Sequence, residues 1–300
     1  MVPETVTLLA NAKVNLYLEI TGILPQGYHE ISTVMQSLTL SDKVTVSVAE
    51  GDGISLCIIG NDSLPSDCRN IAVKAAKAFF SESGKPFGTD ITIEKKIPTE
   101  AGLGGGSADA AAVLRALDIL SGHAIDDAAL MRAAASVGSD VPFCLAGGCR
   151  HAGGRGEVLS GRMKPSGLIF LIVKPDAGIS TAAAYSALDG LYGGFADRKP
   201  SKPPEELTEA LRASDRAGTA KNLRNIFEDV LPELCPESYA LLKLLKTCSF
   251  GAGLCGSGSA VYACFLSEAT ALTAEKIIKK KYPGYFTAIC RGTGHGVRPV

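Results

Sequence analysis

The sequence of 300 residues contains no tryptophan, and aromatic residues make up only 6% of it. Flat aromatic platforms on which nucleic-acid bases could stack are therefore scarce. The formal net charge of −1 leaves no basic excess, which argues against nucleic acid or an anionic membrane surface as a partner. No apolar run approaches the length that spans a bilayer, and the chain does not open with a signal-peptide pattern. Together these absences predict a soluble cytoplasmic protein.

Paired cysteines are also missing. The nine cysteines are scattered and odd in number, and none of them forms a C-x-x-C pair. Cys57, Cys144, Cys264 and Cys290 stand in apolar sequence contexts. We therefore expect most of the nine to be small buried residues in a protein of a reducing compartment.

Hydrophobic residues, by contrast, make up 46% of the chain, which is typical of a well-packed globular protein. A chain of this length exceeds one typical core, so we expect one domain over residues 1–163 and a second over residues 164–300. From residue 168 to residue 290 the patterns read strand, helix, two strands, helix, strand, which predicts a split βαβ arrangement. A polar stretch with prolines at 193–206 predicts an exposed loop.

The most informative segment is P-T-E-A-G-L-G-G-G-S-A at residues 98–108. Alternating Ile91 and Ile93 predict a strand that ends near Pro98, and the spacing of apolar residues after the loop predicts a helix over 110–120. Glycines let backbone N–H groups approach an anion, and the helix start adds unpaired N–H groups and a positive dipole. We expect the following residues to bind a phosphate-bearing cofactor: Pro98, Thr99, Glu100, Ala101, Gly102, Leu103, Gly104, Gly105, Gly106, Ser107 and Ala108.

Two familiar phosphate motifs do not fit this loop. A Walker A loop ends in Gly-Lys-Ser or Gly-Lys-Thr, whereas Ser107 follows glycine and the loop holds no lysine. The G-x-G-x-x-G spacing of the dinucleotide fingerprint is also absent. A glycine-rich turn that binds no ligand remains the alternative at this point.

Two other segments place polar residues where they could act together. Alternation over 13–21 predicts a strand with one core face, which leaves Lys13 and Asn15 side by side on the other face. Ser139, Asp140 and Pro142 predict a helix start, where the dipole favours an ionised carboxylate. From the residues alone, a solvated lysine and a helix-capping aspartate remain open alternatives.

In chain order these segments resemble the motifs of the GHMP kinases, a superfamily that includes galactokinase, homoserine kinase and mevalonate kinase. The resemblance rests on A-K-V-N-L at 12–16, Q-G-Y-H-E at 26–30, the loop at 98–108, G-S-D-V-P-F at 138–143 and L-C-G-S-G-S at 254–259. Gln26 and Asp109 depart from residues common in the family, and we expect neither departure to change the activity.

The resemblance implies an α+β fold with two domains, an N-terminal ribosomal-S5-like α/β domain and a C-terminal ferredoxin-like split βαβ domain. It further implies the branch that uses ATP and Mg²⁺ to phosphorylate the 2-hydroxyl of a cytidine-diphosphate-linked methylerythritol in the non-mevalonate isoprenoid pathway. The expected partner is thus a small molecule, and the expected state is a monomer or weak homodimer. A GHMP kinase of the homoserine or mevalonate type is the alternative activity, and a non-catalytic ATP-binding sensor is a weaker one.

The matched motifs also imply roles in catalysis. Asp140 is the expected general base, and Lys13 is expected to stabilise its carboxylate and the charge that develops during transfer. Asn15 is expected to bind hydroxyls of the substrate. Ser107 is expected to contact Mg²⁺ or a phosphate oxygen, and Asn70 to lie near adenine.

For the cytosine of the substrate, the resemblance implies an aromatic clamp. Tyr28 could stack on the base, and His29 could form a hydrogen bond with its edge. Tyr185 is the best positional match for a second stacking residue in the C-terminal half. A surface tyrosine and a histidine satisfied by protein neighbours remain the alternatives here.

Overall fold

The structure, a computed structural model, describes residues 3–195 and 204–300. The predicted loop at 193–206 therefore lies largely outside the described residues. The strands are β1 (Thr5–Ile23), β2 (His29–Ala49), β3 (Ile54–Ile59), β4 (Gly88–Glu94), β5 (Cys149–Gly153), β6 (Val158–Met163), β7 (Ile169–Lys174), β8 (Arg224–Asn225), β9 (Gly251–Leu254), β10 (Val261–Phe265), β11 (Phe286–Arg291) and β12 (Val297–Pro299). The helices are α1 (Ile71–Ser83), α2 (Gly105–Leu120), α3 (Asp127–Val137), α4 (Val141–Ala146), α5 (Thr181–Tyr192), α6 (Glu205–Arg212), α7 (Arg216–Lys221), α8 (Leu231–Leu234), α9 (Pro236–Cys248) and α10 (Glu268–Lys281), with a 3₁₀ turn at Ile226–Asp229.

The first sheet is built around the long antiparallel pair β1 and β2. Its strand order is β12-β1-β2-β4-β3, with β5 and β6 attached to β2 and β8 attached to β1. Helix α2 packs against β1 and β2, and α1 lies beside it. Because β12 returns from the far end of the chain to pair with β1, residues of both expected domains build this sheet. The domain boundary at residues 163 and 164 stays a prediction.

The second sheet has the order β11-β7-β10-β9, and all its neighbours are antiparallel. With α9 directly before β9 and α10 between β10 and β11, this is the order of a split βαβ fold, so the sequence prediction for the C-terminal half is confirmed. Side chains of β7 alternate between two cores. Leu171 and Val173 pack with residues of α9 and α10, whereas Phe170 and Ile172 pack towards β1.

Strand β1 is therefore covered on both faces, and the expectation of a single core face is wrong. All its residues from Ala10 to Ile20 are buried, including Lys13, Asn15 and Glu19. Phe170, Ile172 and Tyr262 of the second sheet cover the face of Val14 and Leu16, with which they share one hydrophobic cluster, and Gly104 and Gly256 lie against Lys13 on the other face. A strand pattern read alone cannot reveal this cover, because the covering sheet lies more than a hundred residues away in sequence.

Two smaller expectations differ from the structure. Cys57, expected in an apolar interior, is exposed on β3 at the edge of the first sheet, whereas Cys144, Cys264 and Cys290 are buried; all nine cysteines are free thiols. Strand β4 ends at Glu94 rather than near Pro98, so the segment before the glycines is irregular for longer than predicted. Across the described ranges, the helices lack the combination of length and apolar character needed to cross a membrane.

Candidate active site

A cavity of about 380 Å³ opens where β1, the glycine loop and the start of α5 meet. It brings together five of the residues singled out from the sequence for catalysis, substrate binding or contact with Mg²⁺: Lys13, Asn15, Ser107, Asp140 and Tyr185. The remaining lining comes from Leu18, Ile31, Gly102, Gly104, Ser139, Arg155, Thr181, Phe227, Gly256 and Ser257. Both halves of the chain thus contribute to one cleft.

Lys13 and Asp140 form an ion pair in this cavity. Lys13 Nζ lies 3.2 Å from Asp140 Oδ2 and also donates a 2.9 Å hydrogen bond to Asn15 Oδ1. Asn15 Nδ2 in turn donates to Thr33 Oγ1 at 2.8 Å, so the side chains of β1 are held in fixed positions. The Lys13 side chain is only 6% exposed, whereas that of Asp140 is 34% exposed and open to the cavity. The carboxylate is thus available to a ligand while its partner is desolvated.

Asp140 stands immediately before α4, as the sequence predicted, but its side chain makes no capping hydrogen bond. The simple helix-cap alternative therefore does not describe this residue. In contrast, Asn70 does cap a helix: its side chain accepts a bond from Ala72 N–H at 2.9 Å and donates to the Pro65 carbonyl at 2.7 Å. Local backbone groups occupy both ends of the Asn70 amide, and its contact with adenine stays a prediction.

The glycine loop is shaped by close backbone approach. Gly102 and Gly104 both have φ of +71°, the left-handed region that favours glycine. A Cβ on Gly102 would lie 1.7 Å from the Cys255 carbonyl oxygen, and a Cβ on Gly104 would lie 3.0 Å from Lys13 Cγ. The loop at 98–108 is therefore packed directly on the segment at 254–259 and on the catalytic candidate Lys13.

Helix α2 begins at Gly105, within the segment at 98–108, with no side chain capping its first N–H groups. These N–H groups and the helix dipole give the loop the electrostatics of an anion site. A second cavity of about 290 Å³ is lined by Leu64, Lys95 and residues 97–106, and it shares Gly102 and Gly104 with the first. Ala108, in contrast, is fully buried in the core of the first sheet.

The expected clamp residues form an aromatic and ionic group at the end of the first cavity. The His29 ring stacks on Tyr185, with centroids 4.7 Å apart, and its Nε2 lies 2.8 Å from Asp189 Oδ1. Tyr28 is 55% exposed, and the Arg155 guanidinium lies 4.4 Å above its ring. Tyr185 itself lines the cavity, and burial raises its pKa to about 12. Tyr28 and His29 lie next to the cavity rather than in its lining.

Sequence reasoning missed two partners of this site. Asp189 lies one helical turn after Tyr185, and a spacing of four on α5 could have indicated that both face the same side. Lys95 reaches the glycine loop from the end of β4, and nothing in the local pattern marks it. The loop has no lysine of its own, yet the fold brings Lys13 and Lys95 against it from two different strands.

The chain is similar to known proteins over both of its halves. The GHMP kinases N terminal domain matches residues 70–148, and the GHMP kinases C terminal family matches residues 207–284. Over 286 residues the chain is 39% identical to the 4-diphosphocytidyl-2-C-methyl-D-erythritol kinase of Synechococcus sp., covering 93% of this chain and 91% of that one. The chain belongs to the 4-diphosphocytidyl-2-C-methyl-D-erythritol kinase family. It is therefore a GHMP kinase and a small-molecule kinase, as the motif resemblance implied.

Solved structures agree with the fold of this kinase family. A crystal structure of 4-(cytidine 5'-diphospho)-2C-methyl-D-erythritol kinase has a TM-score of 0.78 at 30% identity, covering 96% of this chain and all of that one. Homoserine kinase from Cytophaga hutchinsonii also has a TM-score of 0.78, at 20% identity, covering 100% of this chain and 98% of that chain, and shares the fold. The expected two-domain α+β fold of a GHMP kinase is confirmed.

Proposed function

We propose that this kinase transfers the γ-phosphoryl group of ATP to the 2-hydroxyl of 4-diphosphocytidyl-2-C-methyl-D-erythritol, a step of the non-mevalonate isoprenoid pathway. The observation that carries the proposal is the Lys13–Asp140 ion pair, which faces the glycine loop inside one cavity. Relatives that carry the name of this activity support the choice of substrate. We expect the enzyme to act in the cytoplasm, as a monomer or weak homodimer.

Phosphoryl transfer needs positioning and charge neutralisation more than covalent chemistry. Asp140 accepts the proton of the 2-hydroxyl as the hydroxyl oxygen forms the new bond to the γ-phosphorus. The bond from that phosphorus to the β–γ bridging oxygen breaks, ADP leaves, and Asp140 passes the proton to solvent. A positioned base of this kind contributes roughly 10²–10⁴-fold to the rate.

Lys13 is suited to stabilise the charge that moves through this step. Its ammonium is nearly buried, so its interaction with an oxyanion is screened little by water. Asn15 is fixed by Thr33 and by Lys13, and it is placed to bind a hydroxyl of the methylerythritol.

The glycine loop and the start of α2 are suited to hold the ATP triphosphate through backbone N–H groups. Mg²⁺ prefers oxygen ligands and is usually held by substrate phosphates with one or two protein groups. Within residues 3–195 and 204–300 there is no group of three or more His, Cys, Asp or Glu side chains that could hold a metal by itself. Ser107 lines the cavity at the helix start, and its hydroxyl is suited to be a single protein ligand of Mg²⁺. The ion would neutralise phosphate charge when bound.

On the substrate side, Tyr185 offers an aromatic face to cytosine, and His29 and Tyr28 lie next to it. Arg155 lines the same cavity and donates to Ser139 Oγ at 3.2 Å. A guanidinium matches the geometry of phosphate oxygens, so Arg155 suits the diphosphate of the substrate. The cavity thus offers an aromatic end, a cationic middle and a catalytic ion pair.

An ADP-release assay tests the proposal with three substrates in parallel: 4-diphosphocytidyl-2-C-methyl-D-erythritol, homoserine and mevalonate. We expect turnover with the first and none with the other two. Turnover with homoserine or mevalonate, and none with the cytidine compound, would refute the assignment while leaving a GHMP kinase of another kind. ATP binding without turnover of any substrate would favour a sensor.

A further inference from the structure

Outside the catalytic ion pair, the fold buries a second cluster of charges directly behind the glycine loop. Lys95 Nζ donates to Asp42 Oδ2 and, at 2.6 Å, to Asp109 Oδ2. The three side chains are at most 6% exposed. Two carboxylates and one ammonium thus share a desolvated space, an arrangement that is costly unless geometry holds it together.

Each member of the cluster belongs to a different structural element around the loop. Asp42 lies on β2, Lys95 directly follows β4, and Asp109 lies on α2 at the level of its second turn. Asp42 Oδ1 also accepts hydrogen bonds from the backbone N–H groups of Lys96 and Ile97, where the chain enters the loop. The cluster therefore fastens the entry of the glycine loop to the helix at its exit.

The cluster also touches the loop itself. The Lys95 ammonium lies 3.4 Å from where a Cβ of Gly105 would stand, and Gly105 is the first residue of α2. Lys95 further lines the cavity formed by residues 97–106. A shift of Asp109 or Lys95 would therefore be passed to the N–H groups that face that cavity.

We propose that Asp109, acting through Lys95 and Asp42, is a positioning residue that sets the glycine loop for ATP. Supporting groups of this kind hold a binding constellation to within a fraction of an ångström of its productive geometry. Sequence analysis assigned Asp109 no role beyond a departure from a common residue, whereas its buried contact with Lys95 gives it one. This inference rests on the proposed binding of ATP at the loop.

The variants Asp109→Ala and Asp109→Asn separate this role from a general effect on folding. Removing Asp109 leaves Lys95 paired one to one with Asp42, so the alanine variant buries no unpaired charge. We expect its KM for ATP to rise by roughly tenfold or more, because a small misplacement of positioning groups is costly, while the KM for the cytidine substrate stays within about twofold. The asparagine variant still accepts a hydrogen bond from Lys95, so its KM for ATP should stay within about threefold of the parent.

The neighbouring pair Lys43–Glu94 supplies a matched control. It joins the same two strands one residue away, but both side chains are 40% exposed. Lys43→Met should leave both KM values unchanged. Equal KM values for ATP in the parent and in Asp109→Ala would overturn the inference, as would an asparagine variant as impaired as the alanine one. Failure of the parent to bind ATP would instead refute the proposed function.

Discussion

Lys13 Nζ lies 3.2 Å from Asp140 Oδ2 even though the two residues are separated by 127 positions in the chain (140 − 13) and sit on different elements. Strand β1 carries the lysine into the interior, and the start of α4 leaves the carboxylate open to the cavity. The pair is asymmetric, since one partner is nearly buried and the other is one-third exposed. Because only Asp140 is open to the cavity, we expect its carboxylate to accept the proton of the hydroxyl, and we expect Lys13 to stabilise charge.

Asp140→Asn should strongly reduce turnover while leaving nucleotide binding intact. The amide keeps the shape of the carboxylate but cannot accept the proton of the hydroxyl, so kcat should fall by roughly 10²–10⁴-fold. Steady-state kinetics and direct titration with ATP measure the two effects. Asp126→Asn is a suitable control, because Asp126 caps α3 with its side chain and asparagine caps equally well. An Asp140→Asn variant with full activity would remove Asp140 as the base.

Lys13→Met should lower kcat by about 10²–10³-fold, because one preorganised cation next to the transferring group is lost. If Lys13 and Asp140 act as a unit, the double variant Lys13→Met/Asp140→Asn should be no slower than the slower single variant. Rate losses that multiply in the double variant would show that the two side chains act independently. The circular dichroism spectrum of each variant would confirm that the fold is kept.

Asp189→Ala should weaken binding of the cytidine substrate and leave the affinity for ATP unchanged. The Asp189 carboxylate holds the His29 ring against Tyr185 through a 2.8 Å hydrogen bond. Losing a partly exposed hydrogen bond should raise the KM for the cytidine compound by about three- to tenfold. Asp176→Ala, another exposed aspartate of the same half, serves as the control. An unchanged KM for the cytidine compound in Asp189→Ala would contradict a role of this contact in substrate binding.

The pH dependence of stability should change in Asp109→Asn. Burial raises the pKa of Asp109 to about 8; the Asp42 charge adds to this rise and Lys95 opposes it. Between its ordinary value and this raised one, the folded chain keeps a proton that the unfolded chain has released. The free energy of unfolding contributed by this group therefore falls as pH rises through that window.

The asparagine variant has no such proton to lose. Thermal unfolding of both proteins between about pH 5 and pH 9 should therefore show the variant gaining stability relative to the parent as pH rises, with the gain levelling above about pH 8. Parallel curves for the two proteins would mean that Asp109 is ionised throughout this range.

Much of this architecture follows from local sequence. The apolar spacing after Gly105 predicted α2, and the order of patterns after residue 168 predicted the second sheet, because periodicity records which face of an element is buried. The motifs around Lys13, Asp140 and the glycine loop indicated one site, and the fold places all three in one cavity. These features depend on residues near each other in sequence or on ordered motifs.

The rest depends on contacts that no local pattern records. The burial of Lys13 comes from the glycine loop and from the segment at 254–259, since Gly104 and Gly256 lie against its side chain. In the sequence, Lys95 looks like an ordinary charged residue. Only the fold brings Asp42 and Asp109 to it. Asn70 illustrates the opposite case, since its sequence context fits a ligand contact while its side chain caps α1.

The packing of Gly102 on the Cys255 carbonyl and the return of β12 to β1 have a consequence for cutting the chain. A fragment of residues 1–163 would contain the glycine loop but lack the backbone around Cys255 on which that loop packs. We expect neither this fragment nor residues 164–300 to bind ATP when produced separately. When the two fragments are produced together in one cell, we expect them to associate and regain kinase activity. Kinase activity would then report whether the two fragments have associated.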